Sequence, residues 1–208
     1  FMTRAWRRPI TEEELEQKIK LFTVVRGSCD SLQEAMVEVL ATVLSSPQFL
    51  YVVRDDTFAT TNKGASLQLS EYELATRLSL LLWASIPDDQ LLGLARQGKL
   101  SDPEVLEQQI DRMLADPRSG RLSKHFVEQW LDMKLLKFLN VKSERRFDPL
   151  LKEAMQHEPV ALFQQILETN ASVLDFLHAD YTMGNERLAR HYGIADVHGN
   201  EFRRIALT

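Results

Sequence analysis

Residues Ser70 to Asp89 read SEYELATRLSLLLWASIPDD, and the fold class follows from this stretch. Ser70 stands three residues before Glu73, the spacing at which each side chain can take the other's backbone N–H in a capping box. Leu69 and Leu74 bracket that box as a hydrophobic staple. Glu73 and Arg77, four apart in the favourable order, give the first turns a charged side. From Leu80 through Ala84 the run LLLWA has no polar residue, and a helix apolar on all sides belongs in an interior. At about 1.5 Å per residue the helix is roughly 20 Å long, too short to cross a bilayer. Leu74, Leu78, Leu81, Leu82 and Trp83 are therefore expected to touch several other helices, with Pro87 stopping the segment.

The chain around it has 208 residues, 44% hydrophobic and 26% charged, enough for one large core or two small ones. Eight glycines and seven prolines, placed mostly at helix ends, argue against a sandwich or barrel. A formal charge of −5 gives no electrostatic reason for a nucleic-acid partner, and the short clusters Arg4/Arg7/Arg8 and Arg203/Arg204 read as solvated surface. The single Cys29 excludes an intramolecular disulfide, a four-cysteine zinc site and covalent haem attachment within this chain. No run of 18 or more apolar residues is present, so no membrane span is expected.

Upstream, Thr11 and Glu14 box a helix that Arg26-Gly27 closes, and Ser31 with Glu34 opens the next. Leu32, Ala35, Met36, Val39, Leu40, Val43 and Leu44 give that helix a core-facing stripe. Pro47 ends it, and Phe49 to Val53 reads as an extended run or a last helical turn. The polar stretch Arg54 to Ser66 is the best linker in the chain, separating a helical subdomain at 1–54 from a larger helical domain at 67–208. Downstream, Pro87 to Asp89 open a short helix closed by Gly98. Asp102-Pro103, Asp116-Pro117 and Asp148-Pro149 each place a capping carboxylate before a residue lacking the N–H that a first turn cannot use. The expected inner faces are Leu106, Ile110, Met113 and Leu114, then Leu122, Phe126, Trp130 and Met133. The last Asp-Pro helix contains Pro159, which should kink or break it near Met155. A helix around Asn185 to Tyr192 ends at Gly193, and the tail from Val197 to Leu207 begins a strand or hairpin completed beyond the chain. The expectation is an all-α bundle of about eight to nine helices with that short β element at its tail.

Catalytic motifs are scarce. The five histidines form no HExxH and no Glu-x-x-His pair. No nucleophile elbow, dinucleotide fingerprint or phosphate-binding loop occurs. His125, Glu128 and Asp132 share a helix side, as do Glu153 and His157, and both groups read as surface. The adjacent acids Asp55/Asp56 and Asp88/Asp89 read as solvated caps. The densest polar constellation is ADYTMGNERLARHYG, from which Asp180, Asn185, Arg187 and His191 are the candidate ligand-binding residues. A capping and packing corner is the competing interpretation. No catalytic residue and no metal ligand is assigned.

Several long segments carry a family likeness: AWRRPITEEELEQKIKLF, SLQEAMVEVLATVLSSPQFLYVVR, LSEYELATRLSLLLWASIPDDQLLGLARQGKLSDP, RMLADPRSGRLSKHFVEQWL and ADYTMGNERLARHYGI. They resemble two consecutive domains of unknown function typical of large planctomycete-type exported proteins that also carry a cytochrome c module. The likeness covers nearly the whole chain. It implies a periplasmic, extracytoplasmic location and haem c in a separate module of a longer polypeptide, with no cofactor in this chain. It also implies partners among the other domains of that polypeptide, including the cytochrome c module. Such families supply no catalytic residues to carry over.

Two functions follow as expectations. The first is a noncatalytic helical scaffold or interaction module of a cytochrome-c-bearing protein, linked to extracytoplasmic electron transfer. The second is a catalytic or ligand-binding domain acting in polymer degradation, with a site around residues 180–192. Whether the chain is an enzyme is left open.

Overall fold

The computed structural model describes residues 1–52, 69–138 and 147–207. The expected linker Arg54–Ser66, with Asp55 and Asp56, lies outside them. Among the described residues the chain is mostly helical, 65% in 12 helices of which eight have seven residues or more, with one small two-stranded sheet. It divides into two compact units, Phe1–Asp111 and Arg112–Thr208.

In the first unit, α1 (Met2–Trp6), α2 (Glu12–Arg26), α3 (Leu32–Leu44) and α4 (Pro47–Leu50) pack as a small group, α3 meeting each of the other three. The capping box of α2 forms as expected, with Thr11 Oγ1 accepting from Glu14 N and a Glu14 oxygen accepting from Thr11 N. At α3, Ser31 caps Glu34 N, but the Glu34 carboxylate accepts from the N–H of Asp30 instead of Ser31. The proline at 47 begins α4 at a position where its missing N–H costs nothing. Ala5, Trp6 and Val43 form the core here, with Met2, Ile10 and Phe49 against it.

Trp6 and Arg7 close this corner. The indole N–H of Trp6 reaches Ser46 Oγ at 2.9 Å and the Val43 carbonyl at 3.3 Å. Arg7, with a left-handed φ of 59°, turns its guanidinium inward onto the carbonyls of Gln48 (3.0 Å), Phe49 (3.2 Å) and Tyr51 (2.9 Å). Arg7 is thus 8% exposed, which corrects the solvated-surface interpretation at this member of the basic cluster, while Arg4 is exposed. Burial pulls its pKa down from the ordinary guanidinium value. The carbonyls at the end of α4 have no intrahelical partner, and Arg7 supplies one.

The helix that decided the fold class, α5 (Glu71–Trp83), has its capping box at Ser70 and Glu73 and packs on α6 (Asp89–Arg96). Its buried face is Ala75, Thr76, Ser79, Leu82 and Trp83. Leu81 is 62% exposed and Leu80 38%, so the all-apolar end is not enclosed on all sides as expected. One stripe, at spacings of three and four, is all that its neighbours cover. The helix ends at Ala84, in the left-handed region at φ 47°, three residues ahead of Pro87. Glu71 adds a tie that helix periodicity does not reveal: its two oxygens accept from Leu100 N (2.7 Å) and Ser101 N (3.2 Å), fixing the turn after α6. Asp102 then starts α7 (Pro103–Leu114) by accepting from Glu104 N.

In the second unit, Asp116 caps a 3-10 turn at Pro117–Ser119 that leads into α8 (Gly120–Trp130), and a short α9 (Lys134–Phe138) follows. Arg118, paired with Asp116, holds that carboxyl down at about 2. The buried line running from that turn into α8 is Ser119, Ser123 and Val127, not the expected Leu122, Phe126, Trp130 and Met133. Small residues let α8 approach α10 (Pro149–Glu168) closely, and Ser123 Oγ hydrogen-bonds Gln164 Oε1 across the contact. The displaced rings build a ladder beside it, Phe126 with Trp130 and Phe163, and Phe176 with Trp130 and Phe163, at centroid spacings of 5.0 to 5.8 Å. Of the kink or break expected near Met155, the break does not occur: α10 runs on through Pro159. Helix α11 (Asp175–His178) leads to strand β1 (Tyr181–Gly184), and α12 (Glu186–Tyr192) follows. The tail strand β2 (Arg203–Ala206) pairs antiparallel with β1, Thr182 opposite Ile205, so it finds a partner upstream, within the chain. Gly184 permits this closure, since a Cβ there would stand 3.0 Å from Ile205 Cδ1 and 3.3 Å from Leu188 Cδ2.

Candidate functional site

The N-terminal half of α10, α12 and the segment after it line an open cavity of about 430 Å³ in the second unit. Part of its lining is apolar: Ala154 belongs to a core cluster with the fully buried Leu151 and Leu188, and Phe202 packs against that cluster. Its walls carry Leu150, Glu153, His157, Asn185, Arg187 and Asn200. Glu153 and His157 come from successive turns of α10, which is why a spacing of four puts them together.

Two carboxylates fix the frame. Asp148 caps α10 through Oδ1, which accepts from Leu151 N at 2.8 Å, and its Oδ2 accepts from Arg187 Nε (3.0 Å) and Nη2 (2.8 Å). The guanidinium, then the Leu151 N–H, hold the Asp148 carboxyl below the ordinary aspartate range. Glu158, on the next part of α10, takes Thr182 Oγ1–H from β1 at 2.5 Å and Tyr192 O–H from α12 at 2.7 Å. Burial first, and then that bond, push the Tyr192 phenol above its usual value. The loop bearing Asn200 and Phe202 is pinned by Glu186, whose Oε2 accepts from Gly199 N at 2.8 Å while Gly199 O accepts from Glu186 N at 3.0 Å. Gly199 has φ of 90°, a conformation that disfavours any side chain. The ring of Phe202 stands edge-on to His157 at 4.4 Å.

The structure brings two of the four candidate residues together. Asn185 caps α12, its Oδ1 accepting from Leu188 N at 3.0 Å, and it lines the cavity beside Arg187. Asp180 and His191 are not lining residues. The Asp180 carboxylate is 89% exposed and 3.7 Å from Arg204, and His191 is exposed on the last turn of α12, against the ring of Tyr192. Sequence reasoning treated Asp148 only as a cap and Glu153 and His157 only as surface, and it did not single out Asn200 or Glu158. One signal was present: a capping aspartate uses one oxygen on the backbone and leaves the other for a cation.

No hydrogen bond joins Glu153 to His157 among the described residues. No group of three or more His, Cys, Asp or Glu side chains is disposed to hold a metal ion among the described residues. No described helix is long and apolar enough to cross a membrane. The arrangement suits recognition of a small polar molecule, with donors and acceptors in a partly apolar lining.

No curated protein and no solved structure matches the chain. Residues 1–53 match PSD5, described as a protein of unknown function (DUF1595), so two domains of this kind follow one another. Matching it over residues 69–194, more than half its length, the chain belongs to the PSD4 family, described as proteins of unknown function (DUF1592).

Proposed function

We propose that this chain is a noncatalytic helical interaction module of a larger exported, cytochrome-c-bearing protein, holding other domains of the same polypeptide in place. The observation that carries this reading is the apolar surface of the first unit. Helix α2 has no buried residue, yet Ile19 and Val24 are 55% and 73% exposed. On α3, Leu32, Met36 and Val37 are 56%, 45% and 62% exposed. Apolar surface gathered on neighbouring helices marks a contact site. Two consecutive domains support a multidomain parent, and the resemblance supplies the cytochrome c module, the link to electron transfer and the extracytoplasmic location. Carbene footprinting of the chain alone and within its parent polypeptide tests it. Ile19, Val24, Met36 and Val37 should lose labelling in the parent, and unchanged labelling would refute the reading.

A second reading, ligand binding, is favoured by the cavity that gathers Glu153, His157, Asn185, Arg187 and Asn200. A link to polymer degradation belongs to it. Soaking or titrating small polar molecules against the chain, with the Asn185 and Asn200 amide signals as readout, tests that reading directly.

A further inference from the structure

The geometry points to a neutral, polyhydroxylated ligand, a saccharide unit, in the cavity between α10, α12 and the loop at 199–202; this rests on the ligand-binding reading. Charge decides first. Arg187 faces Asp148 at 2.8 Å, which neutralises it, while the Glu153 carboxylate has no ion-pair partner among the described residues. The lining is therefore not cationic, and a phosphate or carboxylate would meet repulsion without a compensating charge.

Hydrogen-bonding character decides next. Asn185 Oδ1 is occupied by the Leu188 N–H, so the end of that amide with no partner among the described residues is the donating one. The Glu153 carboxylate can only accept, and Asn200 and His157 offer both functions. An ammonium ion could use Glu153 but would face the donating end of Asn185. A hydroxyl donates to one neighbour and accepts from the next, so several hydroxyls on one ring satisfy all four side chains together. Leu150, Ala154 and Phe202 form the apolar strip that the C–H face of a sugar ring would cover. The volume of about 430 Å³ lies within the range of small-molecule sites.

The test is an NMR titration of the whole chain with neutral mono- and disaccharides, inorganic phosphate and ethylammonium chloride, each alone. A saccharide should shift the side-chain amides of Asn185 and Asn200, and the other two probes should not. Glu153→Gln and Asn200→Ala, both exposed and making no described hydrogen bond, should together weaken saccharide binding about tenfold without changing the melting temperature. Shifts from phosphate or ethylammonium but from no saccharide would overturn the ligand class and leave the ligand-binding reading standing. No shift from any of the three would overturn both. Saccharide shifts that map elsewhere, or that ignore both substitutions, would overturn this assignment of the site.

Discussion

Each unit is closed by an arginine that ties together segments some 40 residues apart, and the two do it with opposite chemistry. Arg7 reaches 41 to 44 residues along the chain to three backbone carbonyls and is buried. Arg187 reaches 39 residues back to a carboxylate, half-exposed, at the rim of a cavity. Neutral acceptors carry no titrating partner, so the first closure is insensitive to acid; a carboxylate acceptor makes the second one acid-sensitive. The first fills its corner completely, and the second leaves polar groups around open space. The difference separates a purely structural arginine from one placed where a ligand could be read.

The largest expected effect tests how much of the first unit rests on its apolar core. Trp83 is fully buried, and Trp83→Ala should cost about 3–5 kcal/mol, read by amide hydrogen exchange resolved to residues 1–52 and 69–111. Next, Arg7→Ala removes a buried guanidinium from three part-buried carbonyls and should cost about 1–3 kcal/mol. That loss should be the same on either side of the carboxylate titration range; a strong pH dependence would show that Arg7 acts through a carboxylate after all.

The complementary experiment sits at Asp148. Its folded-state pKa is depressed, so the stability it adds is present above the ordinary aspartate pKa and lost as pH falls through the folded value. Asp148→Asn should therefore destabilise residues 147–207 at neutral pH, and the gap from the wild type should close in acid. A gap that stayed constant down to pH 2 would erase the contrast between the two closures. The smallest effects come from a pair of glycines. Gly184→Ala meets Ile205 at 3.0 Å and should cost about 1–2 kcal/mol, while Gly93→Ala, with nothing within 4 Å inside α6, should stabilise by about 0.5–1 kcal/mol. Thermal melts of the two variants should move in opposite directions.

Helix existence was legible because caps are local. Ser70, Asp88, Asp102, Asp116, Asp148 and Asn185 each satisfy an N–H two or three residues on, and that chemistry is visible in six letters of sequence. Burial was less legible. Periodicity shows that Leu81 and Trp130 are apolar without showing which apolar stripe meets a neighbour, and along the line into α8 close approach favoured Ser119 and Ser123 over larger side chains. Strand β1 escaped because four residues, YTMG, carry too little pattern, and the pairing partner begins nineteen residues after they end. Of the candidate site, Asn185 and Arg187 stood out through crowding of polar residues in one segment. Asp148, Glu153, His157 and Asn200 reach the same cavity from other segments, and nothing local in their spacing announces that.

The pairing of β2 with β1 has a practical consequence for anyone trimming this protein. The family match stops at residue 194, which looks like a natural place to cut. A version ended there would strip away Ile205 from above Gly184 and Phe202 from beside His157, together with the Gly199 anchor on Glu186. The end of the family match and the end of the folded unit are different lines, and expression experiments should respect the second.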